Sequence, residues 1–331
     1  MSEGDEPPRS RVAGATASSA FGIVVSIVSL AGVGWWASRQ SAPHLPSDDR
    51  GLAYVAIALC AYAAITAARG LRWHSIVHGA RIEASYRQTL ELVIIGYMGN
   101  TVLPLRGGEV LRVLLLARES AIGYPRAIGT IVPERLFDVV ALTTVFASLT
   151  VIGVAGSPVG PAPAAIGAGG IVLGAIGLLV YARMRRRGRL ATFAERVGPL
   201  TAASRGVLNR RGAGLFALSV GIWLSEALVL FLVAHSLDLH IGLLESLYVV
   251  IAASLVSLIP AGPGFAGTFD TAALFALKAL DIEGSAALSC LVLYRLVIFG
   301  PITAAGMVLL IRRHGGLRML RGARAPASEP A

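Results

Sequence analysis

Six apolar runs, each long enough to cross a bilayer, constrain this chain more than any other feature. A hydrocarbon core about 30 Å thick takes about 20 residues at a helical rise of about 1.5 Å. The runs cover roughly residues 17–37, 51–68, 125–154, 163–183, 214–234 and 285–311. Two further apolar stretches are too short or too broken for ordinary spans. One is 89–105, followed by the amphipathic 108–118, and the other is 247–260, followed by 264–280. Lipid offers no partner to exposed backbone groups, so long runs of this kind read as helices. The expected fold is all-α: six transmembrane helices plus two re-entrant helical hairpins.

Composition agrees. Hydrophobic residues make up 55% of the chain and charged residues 15%, against about 25% charged in soluble domains. The mean hydropathy is +0.71. Cys60 and Cys290 both sit inside apolar runs with no CxxC partner, which leaves two buried hydrophobes rather than a disulfide or metal framework. His74 and His78 are four apart but lack a third ligand, so no metal is expected.

The net charge of +10 does not point to nucleic acid, because most of the basic residues lie between the apolar runs. Cytoplasmic links collect arginine and lysine. With the N-terminus cytoplasmic and each broken stretch returning to its own side, 24 of the 29 fall inside. That count includes Arg69 and Arg72, placed in the link 69–88. Three, Arg39, Arg50 and Lys278, fall outside, and Arg135 and Arg295 lie within spans. Both termini are then cytoplasmic in a multi-pass protein of the cell (inner or plasma) membrane. Trp35, Trp36 and Trp73 suit an aromatic belt at span ends.

This assignment makes the first half span, span, broken hairpin, span, and the second half the same with every direction reversed. That is the order of an inverted-topology repeat. The domain reading is a disordered cytoplasmic N-terminus over 1–15, a membrane domain over 16–315 with halves at about 16–155 and 163–312, and a cytoplasmic tail over 316–331. Within the link 188–211, Leu190, Phe193, Val197 and Leu200 recur at helical spacing, as in a short helix on the inner membrane surface.

The breaks carry the chemistry. In the first, Pro104 and the pair Gly107–Gly108 interrupt a helix and free backbone groups. Arg106, Glu109 and Arg112 follow at once. A helix start beside two arginines suits a phosphate, and an interfacial turn with a solvated charge cluster is the plainer alternative. In the next run, Glu134, Arg135 and Asp138 can share one side of a helix, with Glu134 about 12 Å past Arg126. Buried charges persist only with partners or a wet cavity, so the three are either a site or a self-neutralising cluster in which Arg135 pairs both acids. The second break holds Pro260, Pro263, Gly264 and Gly267 but lacks the GK[ST] ending of a nucleotide loop. Asp270 either caps the helix that follows or faces a cavity. Arg295 lies about 15 Å into its span with no acid in that span, which leaves Glu134, Asp138, Glu226 and Asp270 as candidate partners. Pro133 and Pro301 can kink the two arginine-bearing spans.

The segments NTVLPLRGGEVLRVLLLARES, PERLFD, IPAGPGFAGTFD and YRL resemble the flippase-like membrane family that includes the transmembrane half of lysylphosphatidylglycerol synthase, the multiple peptide resistance factor. The resemblance spans about residues 15–315. It implies a membrane protein that moves a phospholipid or lipid-linked headgroup between leaflets. By motif, Asn100, Pro104, Arg106, Gly107, Gly108, Glu109 and Arg112 correspond to the family's first re-entrant element. Glu134, Arg135 and Asp138 correspond to its ERLxD element, and Pro260, Pro263, Gly264 and Gly267 to its second glycine-proline element. Where the family more often has Glu, this chain has Asp270. Only about 20 residues follow the last run, far short of an aminoacyltransferase fold, so no enzyme activity of that kind is expected.

The functional expectation is a lipid flippase that is not ATP-driven and needs no cofactor. Asn100, Arg106, Glu109, Arg112, Arg135 and Arg295 would bind an anionic headgroup, with Glu134, Asp138 and Asp270 as proton relays or charge partners. Its expected partners are anionic membrane lipids and envelope-biogenesis proteins, not nucleic acid. One rival is a non-transporting subunit of an envelope-lipid or glycan assembly complex. The other is a membrane glycosyltransferase, although Asp48–Asp49 is the only acidic pair in the first outside link.

Overall fold

A computed structural model of the protein describes residues 31–154, 210–258 and 262–315, apart from 33 and 36. Its elements are α1 (Asp49–Gly79), α2 (Tyr86–Val102), α3 (Gly107–Glu119), α4 (Tyr124–Ile128), α5 (Ile131–Ile152), α6 (Arg210–His235), α7 (Leu243–Val256), a 3-10 turn (Pro263–Phe265), α8 (Thr268–Lys278) and α9 (Gly284–His314). No strand occurs among the described residues. Among the described residues, four helical stretches are long and apolar enough to cross a membrane: Asp49–Gly79, Tyr124–Ile152, Gly212–His235 and Gly284–His314. They fall on four of the six expected runs. The other two, 17–37 and 163–183, lie outside the described residues. So do the expected surface helix over 188–211 for most of its length, Pro260, the N-terminal segment 1–15 and the tail 316–331.

The second run needs a correction. The helix does not end near residue 68 but continues to Gly79, and Arg69 and Arg72 are buried within it rather than lying in a solvated link. Trp73 is buried too, so it is a core residue and not part of a belt, whereas Trp35 is exposed with the Arg39 guanidinium 4.0 Å from its ring centre. Cys290 is buried as expected, but Cys60 is exposed on the apolar flank of α1.

Both broken stretches fold as helix, break, helix. Ser85 caps α2 by accepting from the Gln88 amide at 3.2 Å. After α2 ends, Leu105 and Arg106 both take left-handed backbone conformations, φ +55° and +57°, and α3 begins at once. Two successive non-glycine residues there are uncommon and hold only where packing enforces them. The enforcing contact is glycine on glycine. Gly108 of α3 lies against the backbone of Gly96 and Asn100 in α2, and a Cβ at Gly99 would come 2.6 Å from the Gly108 Cα. The second break turns through Gly264 and Phe265, then Gly267 at φ +88°, where only glycine is comfortable. Asp270 reaches back to accept from the Gly267 amide at 2.9 Å and starts α8.

The helices pair in exchanged fashion. If α1 corresponds to α6, α2 to α7, α3 to α8 and α4–α5 to α9, then each packing pair has a counterpart. Helix α9 packs on α2 as α5 packs on α7, α1 on α2 as α6 on α7, and α5 on α6 as α9 on α1, while α1 and α6 pack on each other. The α2–α9 seam is close: a Cβ at Gly306 would stand 2.9 Å from the Ile94 carbonyl and closer still to Met98.

The chain also sorts its ends. At one end the Arg126 guanidinium donates to the carbonyls of Ala80 and Arg81, Gln88 to Glu119, Arg313 pairs with Glu91, and His314 with Glu119. At the other, the His44 amide donates to Ser289, and the Tyr54 ring lies tilted against His235, centres 6.0 Å apart. The hairpin α2–α3 starts and finishes at the first end.

Candidate functional site

A carboxylate–guanidinium network occupies the interior where α1, α3, α5 and α6 meet. Arg72 of α1 donates from Nη1 to Asp138 Oδ1 at 2.6 Å and to Ser219 Oγ at 2.9 Å, and from Nη2 to Glu134 Oε1 at 3.3 Å. Arg112 of α3 reaches the same Glu134, its Nη2 2.5 Å from Oε2, with its guanidinium 4.4 Å from the Trp73 ring centre. The side chains of Arg72 and Glu134 are each 1% exposed. Charges buried so deeply are tolerable only when each meets an opposite charge, and here every one does.

Outward from that sealed core the network opens. Arg135 spans three acids, with Nε 3.2 Å from Glu109, Nη1 3.3 Å from Asp138 and Nη2 4.0 Å from Glu134. Glu109 also holds Arg106 at 3.2 Å. The Arg135 side chain is 29% exposed, Glu109 19% and Arg106 16%, so this edge faces out of the bundle interior.

Arg106 links the two breaks. Its Nη2 donates to the Ser257 carbonyl at 2.7 Å, at the end of α7, and its guanidinium lies 5.4 Å from the Phe265 ring centre. Arg295 approaches the second break from α9, donating from Nη2 to the Gly264 carbonyl at 3.1 Å and pairing through Nε with Asp270. The rings of Phe269 and Phe299 lie 5.6 and 5.2 Å from its guanidinium. Of the four partners open to Arg295 in the sequence, Asp270 is the one it meets, and Asp270 caps α8 as well.

Arg106, Glu109, Arg112, Glu134, Arg135 and Asp138 thus converge, with Pro104, Gly107 and Gly108 shaping the turn beside them. Arg295, Asp270, Pro263, Gly264 and Gly267 form a neighbouring cluster joined to the first through the second break. Asn100 is buried against Gly108. The expected pairing of Arg135 with both acids is present but incomplete, because Glu134 and Asp138 are shared with Arg72 and Arg112. Sequence reasoning missed Arg72 and the separate buried pair Arg69–Glu226, 2.8 Å apart with Tyr62, Tyr97 and Trp223 rings within about 6 Å of the guanidinium. Their signal was spacing: Tyr62, Ile65, Arg69, Arg72 and Ile76 share one buried helical face. His74 and His78 stack on each other at 6.3 Å, and no group of three or more His, Cys, Asp or Glu among the described residues is placed to hold a metal ion.

Apolar helices of spanning length packed around two broken hairpins, with paired charges sealed inside, define a polytopic helical membrane protein. The chain belongs to the family described as lysylphosphatidylglycerol synthase TM region, whose model matches residues 16–306. It is 23% identical over 316 residues to a UPF0104 membrane protein of Pyrococcus horikoshii, covering 84% of this chain and 92% of that one. A 93-residue stretch is 33% identical to a phosphatidylglycerol lysyltransferase of Staphylococcus epidermidis, covering 28% of this chain and 11% of that enzyme. Over 113 residues the chain is 27% identical to glycosyltransferase AglD of Haloferax volcanii, covering 33% and 17% respectively.

Proposed function

We propose that the protein is a lipid flippase of the cell membrane, not driven by nucleotide hydrolysis, that moves an anionic phospholipid or lipid-linked headgroup between leaflets. Six spans and two re-entrant hairpins in an inverted repeat form its body, with both termini cytoplasmic. The exchanged helix pairing and the sorted ends support that architecture. The end bearing Arg81, Arg118, Arg126, Arg312 and Arg313 is the cytoplasmic one, by the excess of arginine.

The observation that carries the reading is the half-open edge Arg106–Glu109–Arg135, set where the two breaks meet. Broken helices inside a membrane serve ligand sites because their freed backbone groups need a polar lining. Asn100, Arg112 and Arg295 complete the binding side, while Glu134, Asp138 and Asp270 balance charge. The likeness of part of the chain to a phosphatidylglycerol lysyltransferase agrees with a lipid partner. The test is leaflet translocation of a fluorescent anionic phospholipid in proteoliposomes. We expect Arg135→Ala and Arg295→Ala each to slow it at least about tenfold, a loss of about 1.4 kcal/mol. Equal rates for wild type and both variants remove the site.

A second reading, a non-transporting subunit of an envelope-lipid or glycan assembly complex, is favoured by one fact: each of these guanidinium groups already has a carboxylate within the chain. Under it, the arginine variants would keep full pull-down of an envelope-assembly partner and reconstituted protein would move no lipid.

A further inference from the structure

The ionic groups buried between the helices do not cancel. Arg69 and Glu226 neutralise each other, and so do Arg295 and Asp270. In the network joining α1, α3 and α5, four guanidinium groups, those of Arg72, Arg106, Arg112 and Arg135, face three carboxylates, those of Glu109, Glu134 and Asp138. Among the described residues one positive charge is left over. A charge in low dielectric is costly without a counter-charge, so one added anion would bring the described network to neutrality.

The place for that anion is also marked. Arg72, Arg112, Glu134 and Asp138 are sealed, with side chains 6% exposed or less, and have no room for a newcomer. The open edge is Arg106–Glu109–Arg135. There Arg106 has a buried Nε with no hydrogen-bond partner while its two Nη groups are committed to Glu109 and the Ser257 carbonyl. Arg135 has the most exposed side chain of the four. The Phe265 ring of the second break stands against the Arg106 guanidinium, which lies 5.4 Å from the ring centre.

From this charge count we infer that the site takes a monoanionic phosphodiester headgroup, one charge against one, and discriminates against diphosphates and against headgroups of zero net charge. The inference rests on the lipid-transport reading and narrows it to a substrate class. A diphosphate would bring at least one negative charge with no partner into the membrane interior. An uncharged headgroup would leave the guanidinium excess unanswered. The count also predicts how preference moves: Glu109→Gln raises the surplus to two, and Arg106→Gln brings it to zero.

The test measures binding and movement separately. Purified full-length protein in nanodiscs of phosphatidylcholine is titrated with phosphatidylglycerol, with a polyprenyl diphosphate and with water-soluble glycerophosphoglycerol, and thermal unfolding by intrinsic tryptophan fluorescence reads binding. Phosphatidylglycerol should bind at least about tenfold tighter than the diphosphate, and the soluble diester should stabilise only weakly, because it lacks tails held in the bilayer. Glu109→Gln should reverse or level the lipid order, and Arg106→Gln should abolish the gain from phosphatidylglycerol. A wild type that binds the diphosphate as well as or better than phosphatidylglycerol overturns the inference, whatever the variants do. The soluble diester matching phosphatidylglycerol would assign the site to a free phosphodiester instead of a lipid. Translocation of the same lipids in proteoliposomes then separates the two levels. Diphosphate moved in preference to phosphatidylglycerol sinks the charge argument alone, and no movement of any lipid sinks the transport reading beneath it.

Discussion

Asp270 holds the place in α8 that Glu109 holds in α3: each is the third residue of the helix after a break, and each carboxylate meets the Nε of an arginine from the long helix that follows. The arginines, Arg135 and Arg295, correspond in turn. Beyond this shared latch the halves diverge. Arg135 is flanked by Glu134 and followed three residues later by Asp138, where Arg295 is flanked by Tyr294 and followed by Ile298. The first long helix after a break therefore carries two further acids beside its arginine, whereas Arg295 is bordered by rings, with Phe269 stacking on Tyr294 at 6.3 Å.

Arg72 is the keystone of the charged interior. Arg72→Met keeps most of the buried stem but leaves Asp138 facing Arg135 alone and Glu134 short of one partner. The expected cost is about 3–5 kcal/mol, as for one partner removed from a buried pair. Adding Asp138→Asn should recover part of that loss, because the carboxylate that has lost its 2.6 Å ion pair no longer carries a buried charge. Denaturant or thermal unfolding in a fixed detergent reads both. A double variant less stable than Arg72→Met would show that Asp138 does not depend on Arg72.

Gly108→Ala should disrupt the first hairpin, since its new methyl meets the Gly96 carbonyl and the Asn100 amide, neither of which can swing aside. A penalty of about 1–3 kcal/mol or more is expected for overpacking against backbone, seen as a lower unfolding temperature and a poorer yield of monodisperse protein. Gly221→Ala, in open space on α6, serves as the matched control and should behave as wild type.

The Arg69–Glu226 pair ties α1 to α6, so its two members should be energetically coupled. In a double-mutant cycle with Arg69→Met and Glu226→Gln, each single change is expected to destabilise more than the double change relative to its parts, with a coupling of about 1–3 kcal/mol. Additive effects would mean that the aromatic rings around Arg69, and not Glu226, hold it in place.

Sidedness is directly measurable. In a background lacking Cys60 and Cys290, a cysteine at the exposed Glu83 should be shielded from an impermeant maleimide applied to intact spheroplasts. A cysteine at the exposed Glu283 should label readily. The opposite pattern inverts the topology, and labelling of both places the two loops on one face.

Most of the helical frame was legible in the chain. Long apolar runs announced the four described helices of spanning length, and proline with nearby glycines announced both breaks, because neither feature depends on distant partners. The buried network was less so. A hydropathy window closes when it meets arginine, so apolarity alone ends the second span at residue 68 and leaves Arg69 and Arg72 to water. What holds them inside lies far along the chain: Glu134 and Asp138 are 62 and 66 residues from Arg72, and Glu226 is 157 from Arg69. Trp73 was misplaced for the same reason. The acids did carry a hint, since Glu226 sat in a span with no cation of its own, and a buried acid implies a buried base somewhere.

The bare seam at Gly306 sets a limit on how this molecule can deform. With no side chain on α9 there, and the Ile94 carbonyl and Met98 stem pressed into the gap, shifting either helix lengthwise would ram backbone into Cβ. The two are geared together. Any large excursion of the first hairpin must therefore carry the final helix with it as one body, by tilting rather than by gliding.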